Sequence, residues 1–170
     1  MLNVRHPTPF ESRIQCERME KKVVYLKRPR KSPPASYVLE DQIGFILRQV
    51  SQRHAVLFAR DIGVNLTQTQ WAAVSKLAEV GTCSQNQLGR LTAMDIATIS
   101  GVIDRLTARN LTDTCPDPSD GRRLLVSLTR KGQQIADKAA LNALAITNET
   151  LAPLTATERE TLVTILSKLR

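Results

Sequence analysis

The chain has 170 residues, and its 24 Lys or Arg side chains against 16 Asp or Glu give a formal net charge of +8. This length suits one domain with a tail, and the basic balance favours a polyanionic partner such as nucleic acid. Three cysteines without C-x-x-C spacing, two histidines and no long apolar run argue against a disulfide framework, a zinc site and a membrane span. We therefore expect a cytoplasmic protein without a cofactor or metal. The sequence also lacks a nucleophile motif or a phosphate loop, which argues against an enzyme.

The first 35 residues form a basic tail that carries much of the charge. Residues 1–35 contain nine Lys or Arg and three Glu, so +6 of the +8 lies there. The tail runs into KRPRKSPPAS and has too few apolar residues for a core of its own. Two interpretations remain open: a solvated flexible extension, or an arm that adds phosphate contacts beside a DNA site.

A long amphipathic helix is predicted from Ser36 to about residue 62, with Glu40 and Asp41 in its first turn and Gly63 at its end. Its apolar side chains recur every three or four residues and form one stripe. The stripe consists of Leu39, Ile43, Ile46, Leu47, Val50, His54, Leu57 and Phe58. Because so long a stripe must be buried, it predicts packing against a second subunit.

Capping patterns predict three further helices. Their starting signals are the boxes Thr67-x-x-Gln70 and Ser84-x-x-Gln87 and the N-cap Asp95, and the helices end near Glu79, Leu91 and Arg109. In the first of them Trp71, Val74, Leu77 and Ala78 are expected to face inward. Asn110 then takes a position that favours a left-handed backbone.

A hairpin and two helices complete the predicted fold. Strands are expected at residues 111–115 and 124–128, joined by the turn-forming sequence PDPSDGRR. Thr129 caps a helix to about Leu151, and the box Thr155-x-x-Glu158 opens the last helix. The fold class is therefore mainly α, with about six helices and one β-hairpin wing. Residues 67–128 are predicted to form a winged helix-turn-helix, flanked by helices at 36–62 and 130–170.

The second helix of a helix-turn-helix reads base edges in the major groove, and the helix before it rests on the phosphate backbone. The predicted base-reading or outward-facing positions are Asp95, Ala97, Thr98, Ser100, Gly101 and Arg105, and the predicted phosphate contacts are Ser84, Gln85 and Asn86. A glycine inside a helix costs about 1 kcal/mol against alanine. Gly101 is thus either merely tolerated or needed for close approach of the backbone to DNA.

Two arginines follow the tip of the hairpin. Arg122 and Arg123 suit a DNA minor groove, whose negative potential attracts arginine. The alternative is an exposed turn with ordinary surface arginines. Asp120, two residues before Arg122, is predicted to orient that arginine through a charge-assisted bond.

The motif Asp120-x-Arg122-x5-Leu128-Thr129-x2-Gly132 resembles the wing signature of the MarR family of bacterial transcriptional regulators, and the two preceding helices also resemble that family. The resemblance covers about residues 36–170. The phrases DQIGF, QRH and GRLTAMD are similar to a narrower group that represses the breakdown of aromatic compounds, including hydroxycinnamates and nicotinate. The family implies an obligate homodimer, in which dimerisation helices at 36–62 and 130–170 interlock, on a near-palindromic double-stranded DNA site. It also implies a small-molecule pocket beside each DNA-binding lobe.

Four side chains are predicted to bind the small molecule, namely Arg48, His54, Phe58 and Trp71. His54 would bond a ligand carboxylate or ring hydroxyl between the aromatic walls, and Arg48 would pair with an acidic group. The alternatives are a satisfied core histidine and a solvent-facing arginine. The expected function is a repressor released by an aromatic or heteroaromatic acid or its CoA thioester.

Two other functions remain open. A thiol switch of the same fold would use Cys83 or Cys115, although neither has an evident activating base nearby in sequence. An architectural DNA-binding protein would use the basic tail and the wing without sequence preference.

Overall fold

The structure is a computed structural model that describes residues 37–169, and the predicted basic arm at 1–35 lies outside the described residues. The chain divides into the units Met1–Asp41 and Gln42–Arg170. The described part of the first unit contains a single 3-10 turn, Leu39–Asp41. All other elements belong to the second unit.

Six α-helices and three β-strands make up the second unit, which confirms the predicted mainly α class. The elements are α1 (Ile43–Asp61), α2 (Gln68–Val80), β1 (Cys83–Ser84), α3 (Gln85–Leu91), α4 (Ile96–Ala108), β2 (Thr112–Asp117), β3 (Asp120–Leu128), α5 (Arg130–Thr150) and α6 (Ala156–Ser167). None of these helices is both long and apolar enough to cross a membrane.

The start of the first helix was predicted too early. Gln42 has an extended backbone, with φ −81° and ψ 126°, which interrupts the helical conformation before Ile43. Glu40 and Asp41 consequently lie in the separate 3-10 turn and not in the first turn of α1. The end agrees with the prediction, since Gly63 follows α1 with φ +69°.

Side-chain caps begin most helices where the sequence predicts them. Thr67 and Thr155 each form a complete capping box, and Thr129 accepts a hydrogen bond from the backbone of Gly132. The second predicted box is only half present: the hydroxyl of Ser84 accepts from the backbone of Gln87, without the reciprocal side-chain bond. Ser84 is also the last residue of β1, a pairing that the box pattern does not include.

The sheet has the order β1-β3-β2 and is antiparallel throughout. The hairpin β2–β3 was predicted, but β1 was not, because two residues carry no detectable strand periodicity. β1 pairs Cys83 with Val126 and Ser84 with Leu125. This pairing ties the start of α3 to the wing strand β3.

Two apolar cores lie in this unit. The larger core fills the winged helix-turn-helix and includes Leu77, Leu88, Ile99, Leu106 and Val126. The smaller core joins α1 to α5 through Leu57, Phe58, Ile62, Ala139 and Ile146. Leu77 and Ala78 were both predicted to face inward. Leu77 is buried, but Ala78, the next residue on the last turn of α2, is exposed.

Val64 and Trp71 pack against both cores. Trp71 lies in the first turn of α2 and is half-buried. A change at the α1–α5 core can therefore reach the helix-turn-helix through direct side-chain packing.

Candidate nucleic-acid interface and adjoining cavity

The outward face of α4 carries the predicted base-reading residues. Its buried side chains are Ile99, Val102, Ile103 and Leu106, which leave the opposite face open. On that face Ala97, Thr98 and Arg105 are exposed, while Ser100 and Gly101 are half-exposed. All five are free of the core, as a recognition helix requires.

Asp95 caps α4 with both of its carboxylate oxygens. Oδ1 accepts a hydrogen bond from the backbone N–H of Thr98 at 2.7 Å, and Oδ2 accepts from the Thr98 hydroxyl at 3.0 Å. These bonds hold the pKa of the Asp95 carboxyl below its ordinary value, the backbone bond contributing most. The hydroxyl proton of Thr98 is thus engaged within the protein, and its methyl group and oxygen lone pair remain available to a base.

Protein packing does not require the glycine at position 101. The atoms nearest to a Cβ built there belong to the guanidinium of Arg105, at an ordinary contact distance of 3.5 Å. The space for a methyl group exists, so any requirement for glycine must come from a partner on the outward face.

We expect Gly101→Ala to stabilise the fold by about 1 kcal/mol, because alanine is the better helix former. We also expect operator affinity to fall by about tenfold, because the added methyl group holds the helix backbone away from the groove. Urea unfolding and fluorescence anisotropy with labelled DNA measure the two effects. Higher stability with unchanged DNA affinity would show that Gly101 is merely tolerated.

The wing and the start of α3 form one cleft. Its volume is about 230 Å³, and its lining residues are Ser84, Gln85, Asn86, Arg122, Arg123 and Leu124. The β1–β3 pairing explains this arrangement, because it places Ser84 opposite Leu125. Five residues that the sequence nominated as DNA contacts from two separate segments therefore lie together, and Leu124 joins them without having been predicted.

The predicted pairing of Asp120 with Arg122 was wrong. The carboxylate of Asp120 pairs with the Nε of Arg123 at 3.1 Å and accepts a hydrogen bond from the backbone N–H of Arg122 at 3.2 Å. One carboxylate oxygen of Asp120 binds the backbone of Arg122 and the other binds the side chain of Arg123, so both oxygens are engaged without the Arg122 guanidinium. Within the described residues the Arg122 guanidinium has no hydrogen bond or ion pair.

We expect Arg122→Ala to weaken operator binding by about tenfold or more, because an unpaired arginine at the wing tip is available to the DNA. Lys138→Ala on α5 removes the same charge from an exposed side chain away from the cleft and serves as the control. Binding is measured by anisotropy at one salt concentration. Equal affinities of the two variants would mean that Arg122 contributes only general charge.

A separate cavity of about 360 Å³ lies between α1, α2 and α5. Its lining residues are Ser51, His54, Phe58, Gln68, Trp71, Ala143, Ile146 and Thr147. Three of the four predicted ligand-binding residues are thus brought together. Arg48 is exposed on α1 and is not among the lining residues. The sequence did not indicate that residues of α5 and Gln68 line the cavity, because this depends on how helices distant in sequence pack together.

His54 has one defined partner at the edge of this cavity. Its Nδ1 lies 2.9 Å from the hydroxyl of Thr150. The imidazole is half-buried and tilted against the ring of Phe58, with centroids 6.5 Å apart. Among the residues that line the cavity, His54 is the one whose side chain can carry a charge.

Comparison with known proteins identifies the family. Residues 66–124 match the MarR family. Over 152 residues the chain is 34% identical to the HTH-type transcriptional repressor NicR of Pseudomonas putida, which covers 89% of this chain and 95% of that protein. The chain belongs to the MarR family.

Solved MarR-like structures agree with the fold. A probable transcriptional regulator from Pseudomonas aeruginosa is 56% identical, covers 78% of this chain and 100% of its own, and has a TM-score of 0.75. BpsR of Bordetella bronchiseptica, whose DNA binding is regulated by 6-hydroxynicotinic acid, is 36% identical over 81% of this chain and 97% of its own, with a TM-score of 0.75. The predicted family, and the narrower resemblance to repressors of the breakdown of aromatic compounds, are confirmed.

The cysteines of this MarR-family chain are poorly placed for a disulfide switch within the wing. Cys83 pairs with Val126 and Cys115 with Leu125 across β3, so their side chains point to opposite faces of the sheet. Burial also raises the pKa of the Cys83 thiol, which lowers its thiolate fraction and its reactivity. Cys16 lies outside the described residues. Residues 37–169 likewise contain no group of three side chains suited to a metal ion.

Proposed function

We propose that this MarR-family protein is a homodimeric repressor that leaves a near-palindromic operator when an aromatic or heteroaromatic acid, or its CoA thioester, occupies the α1–α2–α5 cavity. The observation that carries the proposal is the position of Trp71. Its side chain lines the cavity and packs against both apolar cores. A ligand beside Trp71 therefore contacts the element that joins α1 and α5 to the DNA-binding lobe.

The apolar residues of α1 and α6 support the dimer. Large apolar side chains on and next to these two helices are exposed in the single chain, namely Ile43, Ile46, Leu47 and Val50 on α1, Val163, Ile165 and Leu166 on α6, and Leu169 just after α6. Soluble monomers rarely expose so many large apolar side chains together. A second copy of the chain, related by twofold symmetry, would cover these side chains. The two copies of α4 would then lie about one DNA turn, roughly 34 Å, apart.

Ligand release follows from linkage. A ligand lowers DNA affinity only if it binds more tightly to a dimer geometry in which the two recognition helices cannot both enter their grooves. The cavity lies between the helices of the smaller core and α2, so a change of its width alters the angle between those helices. The regulation of BpsR by 6-hydroxynicotinic acid supports a compound of this class.

The chemistry of the cavity fits such a ligand. Phe58, Trp71 and Ile146 supply apolar walls for a ring, and Ser51, Gln68 and His54 supply polar groups. Pockets for small molecules combine these two kinds of lining. A carboxylate on the ring would extend toward the exposed side of α1, where Arg48 lies outside the lining of the cavity.

DNA competition tests the DNA-binding half of the proposal. A labelled duplex from the region upstream of the protein's own gene is bound, and unlabelled specific or unrelated duplex is then added at fixed salt. We expect unrelated DNA to compete at least about a thousandfold less well, as sequence-specific binding requires. A ratio near one would favour an architectural DNA-binding protein instead.

A further inference from the structure

The hydroxyl of Thr150 has a defined orientation. Thr150 is the last residue of α5, and its Oγ1 lies 2.8 Å from the carbonyl oxygen of Ile146. A carbonyl oxygen can only accept, so the single hydroxyl proton of Thr150 is donated to it. The hydroxyl oxygen is then left as an acceptor for any other partner.

This orientation determines which nitrogen of His54 carries a proton. Nδ1 of His54 lies 2.9 Å from the same hydroxyl oxygen, so Nδ1–H must be the donor in that bond. In the neutral ring Nε2 is consequently unprotonated and acts as an acceptor. Nε2 has no hydrogen bond within the described residues, and it is the nitrogen left for a molecule in the cavity that His54 lines.

The position of Thr150 is held from α1 as well. Arg53, the neighbour of His54, donates from Nη1 to the carbonyl oxygen of Thr150 at 3.1 Å and from Nη2 to that of Glu149 at 3.3 Å. Arg60, two turns further along α1, forms an ion pair with the Glu149 carboxylate at 2.7 Å. The end of α5 is thereby attached to α1 on both sides of the His54 contact.

We propose that Thr150 is a positioning residue that keeps neutral His54 in its Nδ1–H tautomer, and that the cavity consequently selects ligands that donate a hydrogen bond to Nε2 from a ring hydroxyl or ring N–H. The selection rests on the proposed effector cavity, whereas the tautomer depends only on the two hydrogen bonds of the Thr150 hydroxyl. A ligand that presents only an ether or a carboxylate at this point leaves the Nε2 acceptor unsatisfied unless the ring takes up a proton.

NMR of the imidazole nitrogens tests the tautomer without a ligand. The chain has only two histidines, so His6→Gln in the ¹⁵N-labelled full-length protein leaves the His54 signals alone. At a pH where the ring is neutral, we expect a protonated Nδ1 and an unprotonated Nε2. Thr150→Ser, which keeps the hydroxyl, should give the same pattern, and the isosteric Thr150→Val should give a mixed or reversed one. A protonated Nε2 in the wild type, or the same pattern in Thr150→Val, would overturn the positioning role.

Matched probes test the selection. The three hydroxybenzoates and 6-hydroxynicotinate are compared with their O-methyl counterparts by calorimetry. We expect at least one hydroxyl probe to bind about tenfold more tightly than its ether in the wild type and in Thr150→Ser, with a smaller preference in Thr150→Val. If every hydroxyl probe that binds does so no more tightly than its ether, the selection is overturned. If no probe binds at all, the selection fails, while the release of operator DNA by acids or CoA thioesters tests the proposed function separately and the NMR pattern decides the role of Thr150.

Discussion

The substitution Val50→Glu should convert the proposed dimer to a monomer and lower operator affinity by about a hundredfold or more. Val50 is 52% exposed in the single chain and lies on the same stripe as Ile43, Ile46 and Leu47. An unpaired carboxylate in an apolar interface costs several kcal/mol, and a twofold interface contains it twice. A monomer offers only one recognition helix to the site, which removes the cooperation between the half-sites.

The matched control is Val56→Glu. Val56 lies on the same helix and is 68% exposed, but it falls outside the stripe. Sedimentation and DNA anisotropy should show a dimer with nearly normal affinity for this variant. A dimeric Val50→Glu protein, or a monomeric one with full operator affinity, would mean that α1 does not form the interface.

The second large effect is expected from Gly132→Ala. Gly132 lies in the first turn of α5, directly against the end of α4 and the start of the wing. A Cβ at this position would overlap the carbonyl oxygen of Leu111 and lie 3.0 Å from its carbonyl carbon. Because both atoms belong to the backbone, α5 and the wing would have to separate. Overpacking of this kind costs about 3 kcal/mol, and a backbone shift can cost more.

Urea unfolding at a fixed protein concentration measures this loss, since the stability of a dimer depends on concentration. Gly44→Ala is the control, because a Cβ there meets nothing within 4 Å. It lies near the start of α1 and should be neutral or gain up to about 1 kcal/mol. Unchanged stability of Gly132→Ala would show that the first turn of α5 can move away from Leu111 at little cost in free energy, and that Gly132 has another role.

The structure gives different physical reasons for different residues of the wing signature. Arg122 stands without a partner among the described residues, which suits a DNA contact, whereas Gly132 serves the packing of α5 against Leu111. The presence of both residues in one motif is therefore no sign that both touch DNA. The aspartate of the motif shapes the turn, since its carboxylate bonds the backbone of Arg122 and the side chain of Arg123.

Local patterns in the sequence predicted most of the fold. Caps such as Thr67, Asp95 and Thr155 depend on residues three positions apart, so they can be recognised from the sequence alone. Asn110 has the left-handed backbone that its position predicted, with φ +56°. The start of α1 could not be recognised, because the extended backbone of Gln42 leaves no periodic signal in the sequence. The same holds for β1, which is a pairing of only two residues.

The candidate site was predictable only in part, for the same reason. His54, Phe58 and Trp71 stood out by residue type and position on their helices. Gln68, Thr147 and Thr150 did not, because they become relevant only when α1, α2 and α5 pack together. The wing cleft similarly required the β1–β3 pairing to bring the start of α3 to the arginines.

The most direct test of ligand-controlled DNA binding is a titration of the operator complex. A labelled duplex bound by the wild-type protein is followed by anisotropy while aromatic and heteroaromatic acids, 6-hydroxynicotinic acid among them, and their CoA thioesters are added singly. At least one compound should release the DNA, and a Trp71→Ala variant that still binds the duplex should respond less to it. Operator binding that no compound of the panel changes would contradict the account.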